Sequence, residues 1–357
     1  MVDADSHLAG RLDGDRDAAA HRILWVLVGL LGLAALASLT QGASGTSLWS
    51  ALAALMRGEA VDLRDRIVLV DIRLPRLAMG MIVGASLAVS GAVMQGLFRN
   101  PLADPGLVGV SAGAGLGAIT AIVLGGMLPA WAASLTGDYL VAIAAFFGGW
   151  ISTMLLYHVS TRAGRTSVAT MLLAGIALGA LSGAVSGLLV YAATDAQLRE
   201  LTFWGLGSLA GATWQKLAVA GPIMVLALAA TPMLARGLDG LALGETAAHH
   251  MGLPVQRVKS LAILTVAAAV GAAVAVSGGI GFVGIVVPHA LRLAIGPGHR
   301  MLLPASALLG AVFLVLADLI SRMAVAPAEL PIGIVTAIVG GPVFLWLLLR
   351  LRGVVDL

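Results

Sequence analysis

The chain has 357 residues, 59% of them hydrophobic and only 11% charged, with a formal net charge of +3. So few charges could not cover a water-facing surface, which excludes a soluble enzyme, a disordered chain and a coiled coil. Cys is absent, which removes disulfides, thiolate metal sites and Cys nucleophiles. The Lys and Arg residues sit between apolar runs, a pattern that suits loops flanking membrane spans rather than a nucleic-acid face.

Residues 1–22 carry Asp3, Asp5, Asp13, Asp15 and Asp17. They lack the basic start and short apolar stretch of a signal peptide and read as a disordered cytoplasmic tail. From 23 to 352 the chain reads as one all-α, polytopic membrane domain. A crossing helix needs about 20 apolar residues. About ten such runs follow, at 23–39, 77–97, 107–124, 139–159, 168–192, 217–234, 261–276, 282–293, 301–320 and 332–349. The eighth is too short to cross alone. With the N-terminus inside, most cations fall on the cytoplasmic side, in the sense of the positive-inside rule, and the C-terminus is cytoplasmic too. The exception is an outer segment from Arg57 to Arg76, where Arg64, Arg66 and Arg73 interleave with Glu59, Asp62, Asp65 and Asp71.

The 46 glycines are often spaced by four, as in Gly80/Gly84 and Gly175/Gly179, the small-xxx-small spacing that lets helices pack closely in lipid. Ala88-Val89-Ser90-Gly91 echoes Ala275-Val276-Ser277-Gly278, each Gly preceding a Pro by ten residues (Pro101, Pro288). The copies lie an odd number of crossings apart, the arrangement of an inverted repeat.

No catalytic constellation is present. All seven His residues fall on the cytoplasmic side, and adjacent His249 and His250 point about 100° apart on a helix, so they do not form a metal site. Gly278-Gly279-Ile280-Gly281 lacks the Lys and Ser/Thr of a phosphate loop. Asp104, Asp318 and Glu329 lie near span ends. Pairing of Asp318 with Arg322 at i+4 is favoured over a proton relay. The polar segment 237–259 reads as short helical stretches punctuated by glycine. Glu245 opens a helix of about two turns that Gly252 and Pro254 end. Leu241, Leu243 and Met251 leave apolar surface on it, which suits either a cytoplasmic partner's groove or the bilayer surface.

Several motifs together resemble the permease subunits of bacterial ABC importers for iron–siderophores, haem and vitamin B12. They are Arg73-Leu74-Pro75-Arg76, the run Ser90 to Gln95 leading into Arg99-Asn100-Pro101-Leu102-Ala103-Asp104-Pro105, and Leu243-Gly244-Glu245 with Met251-Gly252. Gly281-Phe282-Val283-Gly284 with Pro288-His289 and Arg292, Glu329-Leu330-Pro331-Ile332-Gly333 and Gly341-Pro342-Val343-Phe344 complete the set. The resemblance implies an inverted-repeat permease fold in the bacterial inner membrane, working as a homodimer. Its implied partners are two cytoplasmic ATPase subunits and a periplasmic binding protein, with no nucleic acid. ATP and Mg would belong to the ATPases, and this chain would hold no cofactor or metal of its own. It further implies that Leu243, Gly244, Glu245, Ala248, Met251 and Gly252 couple to the ATPase. Arg73, Arg76 and Arg322 would receive the binding protein's acids, and Thr166, Ser167, Asn100 and Pro101 would lie at the cytoplasmic gate. The stretch 198–209 is most similar to the haem importers.

Overall fold

The computed structural model describes residues 3–42 and 45–355. Its elements in chain order are α1 (Asp3–Thr40), α2 (Leu48–Met56), α3 (Leu63–Arg66), α4 (Leu74–Phe98), α5 (Val110–Leu124), α6 (Ala130–Thr136), α7 (Leu140–Ser160), strands β1 (Thr161–Arg162) and β2 (Arg165–Thr166), and α8 (Val168–Ala192). There follow α9 (Asp195–Leu206), α10 (Trp214–Ala230), α11 (Ala235–Ala242), α12 (Glu245–His250), α13 (Val255–Ser277), α14 (Val283–Ile295), α15 (His299–Met323) and α16 (Ile332–Val355).

Eight helical stretches among the described residues are long and apolar enough to cross a membrane: Ala18–Thr40, Leu63–Phe98, Val110–Met127, Leu140–Ser160, Val168–Ala192, Trp214–Ala242, Val255–Ser277 and His299–Met323. Two shorter apolar helices, Val283–Ile295 and Ile332–Trp346, fill the remaining two expected runs. The short eighth segment is thus a 13-residue helix, α14. Helices dominate because a backbone in lipid must satisfy its own hydrogen bonds.

Three features differ from the sequence reading. Where 1–22 was expected to be structureless, α1 begins at Asp3, leaving only residues 1–2 of that tail outside the described residues. Leu8, Ala9, Arg11, Leu12, Arg16 and Ala18–Ala20 are strong helix formers, and a span that is already helical extends outward without a new nucleus. The second crossing stretch, expected at 77–97, extends back into the charged outer segment. From Leu63 it is helical through α3, a wide π-type stretch (Ile67–Arg73) and α4, with Trp214 Nε1 donating to the Val70 carbonyl at 2.8 Å. The four-residue echo does not mark equivalent points. Gly91 stays inside α4, whereas Gly278, at φ +70°, caps the end of α13.

The core is built around α4. Of the residues in its apolar stretch, 83% are buried, against 11% for α8. The reason is local: a Cβ on Gly84 would sit 2.2 Å from the Gly310 carbonyl oxygen of α15, and one on Gly91 would sit 1.8 Å from the Gly284 carbonyl oxygen of α14. Backbones this close admit no side chain between them, which is how small residues replace the hydrophobic drive that lipid removes. α5 packs on α7 with comparable extent.

Replacing Gly91 by Ala should therefore force α4 and α14 apart and destabilise the fold by ~2 kcal/mol or more, within the range for overpacked interiors. Gly115→Ala on α5, which meets nothing within 4 Å, should leave the subunit's thermal unfolding in detergent unchanged.

Candidate functional site

Two polar clusters lie at opposite ends of the bundle. The first gathers the end of α1, the start of α4, the end of α15 and the segment before α16. Arg76 is its centre. Its Nε donates to Asp318 Oδ1 at 2.9 Å and Oδ2 at 3.2 Å, while Nη1 and Nη2 donate to the two Glu329 oxygens at 2.9 Å each. Arg322 Nε lies 3.2 Å from Asp318 Oδ2 without hydrogen-bond alignment. Its Nη2 donates to Ser38 Oγ at 3.0 Å and to the Ser38 carbonyl at 3.3 Å. Arg73 donates to the Leu39 carbonyl. Two arginines thus serve the last carbonyls of α1, where a helix leaves acceptors unsatisfied and its dipole favours cations.

The three arginines expected to face a partner are therefore turned inward. Arg73, Arg76 and Asp318 are 4%, 7% and 3% exposed. Charge balance explains it: Arg76 and Arg322 offset Asp318 and Glu329 inside the chain, and a membrane-depth acid is kept only when paired. The i+4 pairing of Asp318 with Arg322 is present, but the bidentate partner, Arg76, lies 242 residues away in sequence. Asp104, by contrast, caps the turn Pro105–Val108 by accepting the Gly106 N–H at 2.7 Å. Burial pushes its carboxyl pKa up, against the pull of that bond.

At the opposite end, Gly244 adopts φ +106° and opens α12, a six-residue helix. A side chain is strained at that angle, so Gly is needed for the chain to turn from α11 into α12. Ala248 is fully buried and keys the helix onto the bundle, with the Leu253 N–H donating to its carbonyl at 3.1 Å. Leu243 and Met251 remain exposed, and Gly252 turns the chain away at φ +75°. Beside α12 lies an open cleft of about 710 Å³ lined by Arg165, Glu245, Thr246, His249, Pro254 and Gln256. Asp239 of α11 accepts both the backbone N–H of His299 at 2.9 Å and a contact from its Nδ1 at 2.7 Å, tying α11 to the start of α15.

The expected gate residues separate into two groups. Ser167 is the N-cap of α8, its Oγ accepting the Thr170 N–H at 3.2 Å. Thr166 is buried, and its hydroxyl pairs with Thr161 at 2.9 Å. Asn100 and Pro101 form the turn after α4, with Asn100 Oδ1 accepting the Leu102 N–H at 2.9 Å. Among the described residues no hydrogen bond joins the two groups. Sequence reading missed Gln256 and Lys259, whose side chains reach the Thr166 backbone at 2.8 Å and 2.7 Å. The available signal was a lysine, one of two in the chain, at the mouth of an apolar run.

Removing the centre of the first cluster should be costly. Arg76→Met leaves Asp318 buried beside one misaligned arginine and should lower stability by ~3 kcal/mol, as for a broken buried ion pair. Adding Asp318→Leu should recover part of that loss in denaturant unfolding of detergent-solubilised protein.

Residues 30–350 match the FecCD transport family. The chain is 47% identical over 282 residues to the hemin transport system permease protein HmuU of Yersinia pestis, covering 79% of this chain and 83% of that protein. It is 44% identical over 300 residues to the vitamin B12 import system permease protein BtuC of Salmonella typhi, covering 82% and 87%. A solved inward-facing structure of a metal-chelate type ABC transporter superposes with a TM-score of 0.80 at 32% identity, over 92% of this chain and 99% of that one. The chain therefore belongs to the FecCD transport family, as a multi-pass membrane permease of a bacterial ABC importer.

Proposed function

We propose that this chain is the pathway-forming subunit of an ATP-driven importer that carries haem from periplasm to cytoplasm. It works as a homodimer with two ATPase subunits and a periplasmic binding protein. The observation that carries the reading is α12. It is a short helix presenting half-exposed Glu245 outward and flanked by exposed Leu243 and Met251, while buried Ala248 and the Glu245–Lys259 ion pair at 2.7 Å fasten it to the bundle. A helix that is exposed on one face and anchored on the other receives a push and passes it on, which a mere linker does not.

On this reading the α12 end is cytoplasmic, both termini are cytoplasmic, and Leu243, Gly244, Glu245, Ala248, Met251 and Gly252 form the ATPase contact. Thr166, Ser167, Asn100 and Pro101 lie at the inner mouth. The binding protein docks on the opposite end, over Arg73, Arg76 and Arg322. The exposed Arg57 and Arg66 meet it first, where surface charge steers encounter more than it adds affinity. Homodimerisation is supported by α8, where Gly179, Gly183 and Gly187 meet nothing within 4 Å in the single subunit. A glycine stripe at this spacing fits a second helix packed close against it. The stretch 198–209 and the hemin permease relative support haem as the first reading. The vitamin B12 permease relative supports cobalamin as the second reading.

Reconstitution in liposomes with the ATPase and binding protein tests this. ATP-dependent entry of haem, without entry of ferric siderophore or cobalamin, is expected. Cobalamin entry instead would select the second reading, and haem entry at full rate without nucleotide would overturn ATP-driven import. Gly183→Leu should convert the purified dimer to monomers in light scattering while the subunit stays folded.

A further inference from the structure

Lys259 is 1% exposed, and a lysine is buried to this degree only when its charge and donors are matched. Its Nζ donates to Glu245 Oε1 at 2.7 Å and to the Thr166 carbonyl at 2.7 Å. One turn earlier on α13, Gln256 Oε1 accepts the Thr166 N–H at 2.8 Å. Residues 256 and 259 share a helix face. α13 therefore grips both backbone polar groups of the residue that immediately precedes Ser167, the N-cap of α8.

We propose that Lys259 is the positioning residue that carries displacement of α12 into the start of α8. The proposal rests on the import reading above and names the side chain through which the ATPase contact would act on the inner mouth. The link is short and stiff. From Glu245 to the Thr166 peptide there is one side chain and no intervening loop. Thr166 itself is braced: the Ser167 N–H donates to the Ser160 carbonyl at 2.9 Å, and the Thr161 and Thr166 hydroxyls pair at 2.9 Å across the β1–β2 hairpin. A pull on this peptide is delivered to α8 and the end of α7 rather than lost in a slack segment. The other polar anchor of this region, Asp239 with His299, ties α11 to α15 instead. Lysine suits the role because its ammonium is a compact point charge with several donors, so one Nζ holds Glu245 and the Thr166 carbonyl at 2.7 Å each and ties them to a single atom.

The absence of cysteine allows clean reporters. Thr246→Cys on α12 and Arg165→Cys on the hairpin, both exposed, are labelled with a maleimide. The measurement uses the liposome-reconstituted complex with its ATPase, with and without MgATP and vanadate. In the Lys259→Met background the nucleotide-dependent change at position 246 should persist. The change at position 165 should shrink about tenfold, the scale of one lost hydrogen bond to a charged group, and ATP consumed per haem imported should rise. Lys259→Arg should restore part of the response at 165. Glu245→Leu leaves Lys259 buried with only the Thr166 carbonyl as partner, so its fold is checked by a persisting nucleotide-dependent change at position 246, and it should shrink the response at 165 as far as Lys259→Met does. A full response at 165 in either variant, or its loss in Lys259→Met alone, would overturn the proposal. If nucleotide moves neither reporter with Lys259 intact, the import reading falls and takes the proposal with it.

Discussion

Helices in lipid have no hydrophobic reason to adhere, because their neighbours and the acyl chains are equally apolar. Direct backbone contact is what remains. α4 shows the constraint plainly, meeting α15 at Gly84 and Gly310 and α14 at Gly91 and Gly284. With α4 seated, α13 and α10 pack around it, and the polar ends of these helices come to rest at two defined places. The functional features follow from that seating rather than from any reactive group.

The two ends use charge differently. At one, the Arg76, Asp318, Glu329 and Arg322 cluster is closed on itself, with cations and anions balanced and largely withdrawn from solvent. At the other, Lys259 is buried but its partner Glu245 is half-exposed, so the pair joins an internal helix to a surface one. The first arrangement resists deformation. The second leaves a surface element able to act on an internal one. A transporter driven from one side needs both.

The architecture was largely legible in the sequence because lipid imposes a length and a composition on every crossing, and these survive in one dimension. The ten apolar runs and the brevity of α14 were readable that way, and the turn at Gly252 was readable from the Gly and Pro that stop a helix. Helicity of the acidic start was not, since propensity and extension from a neighbouring span outweigh charge there. Neither was the inward turn of Arg73 and Arg76. A cation beside acids in sequence looks exposed until a partner from 242 residues away arrives. Lys259 showed in sequence only as a lysine at the mouth of an apolar run; that it bridges Glu245 to the peptide carbonyl of Thr166, 93 residues distant, was not readable, since a carbonyl has no letter in a sequence.

One consequence concerns α1. Its final carbonyls are held by Arg73 from α4 and Arg322 from α15, and those two helices are themselves joined at Gly84 and Gly310 and by Arg76 with Asp318. The three tips are thereby welded into a tripod. Any widening of the bundle at that end must tilt the tripod as a unit, so the seam that parts lies outside the cap and not within it.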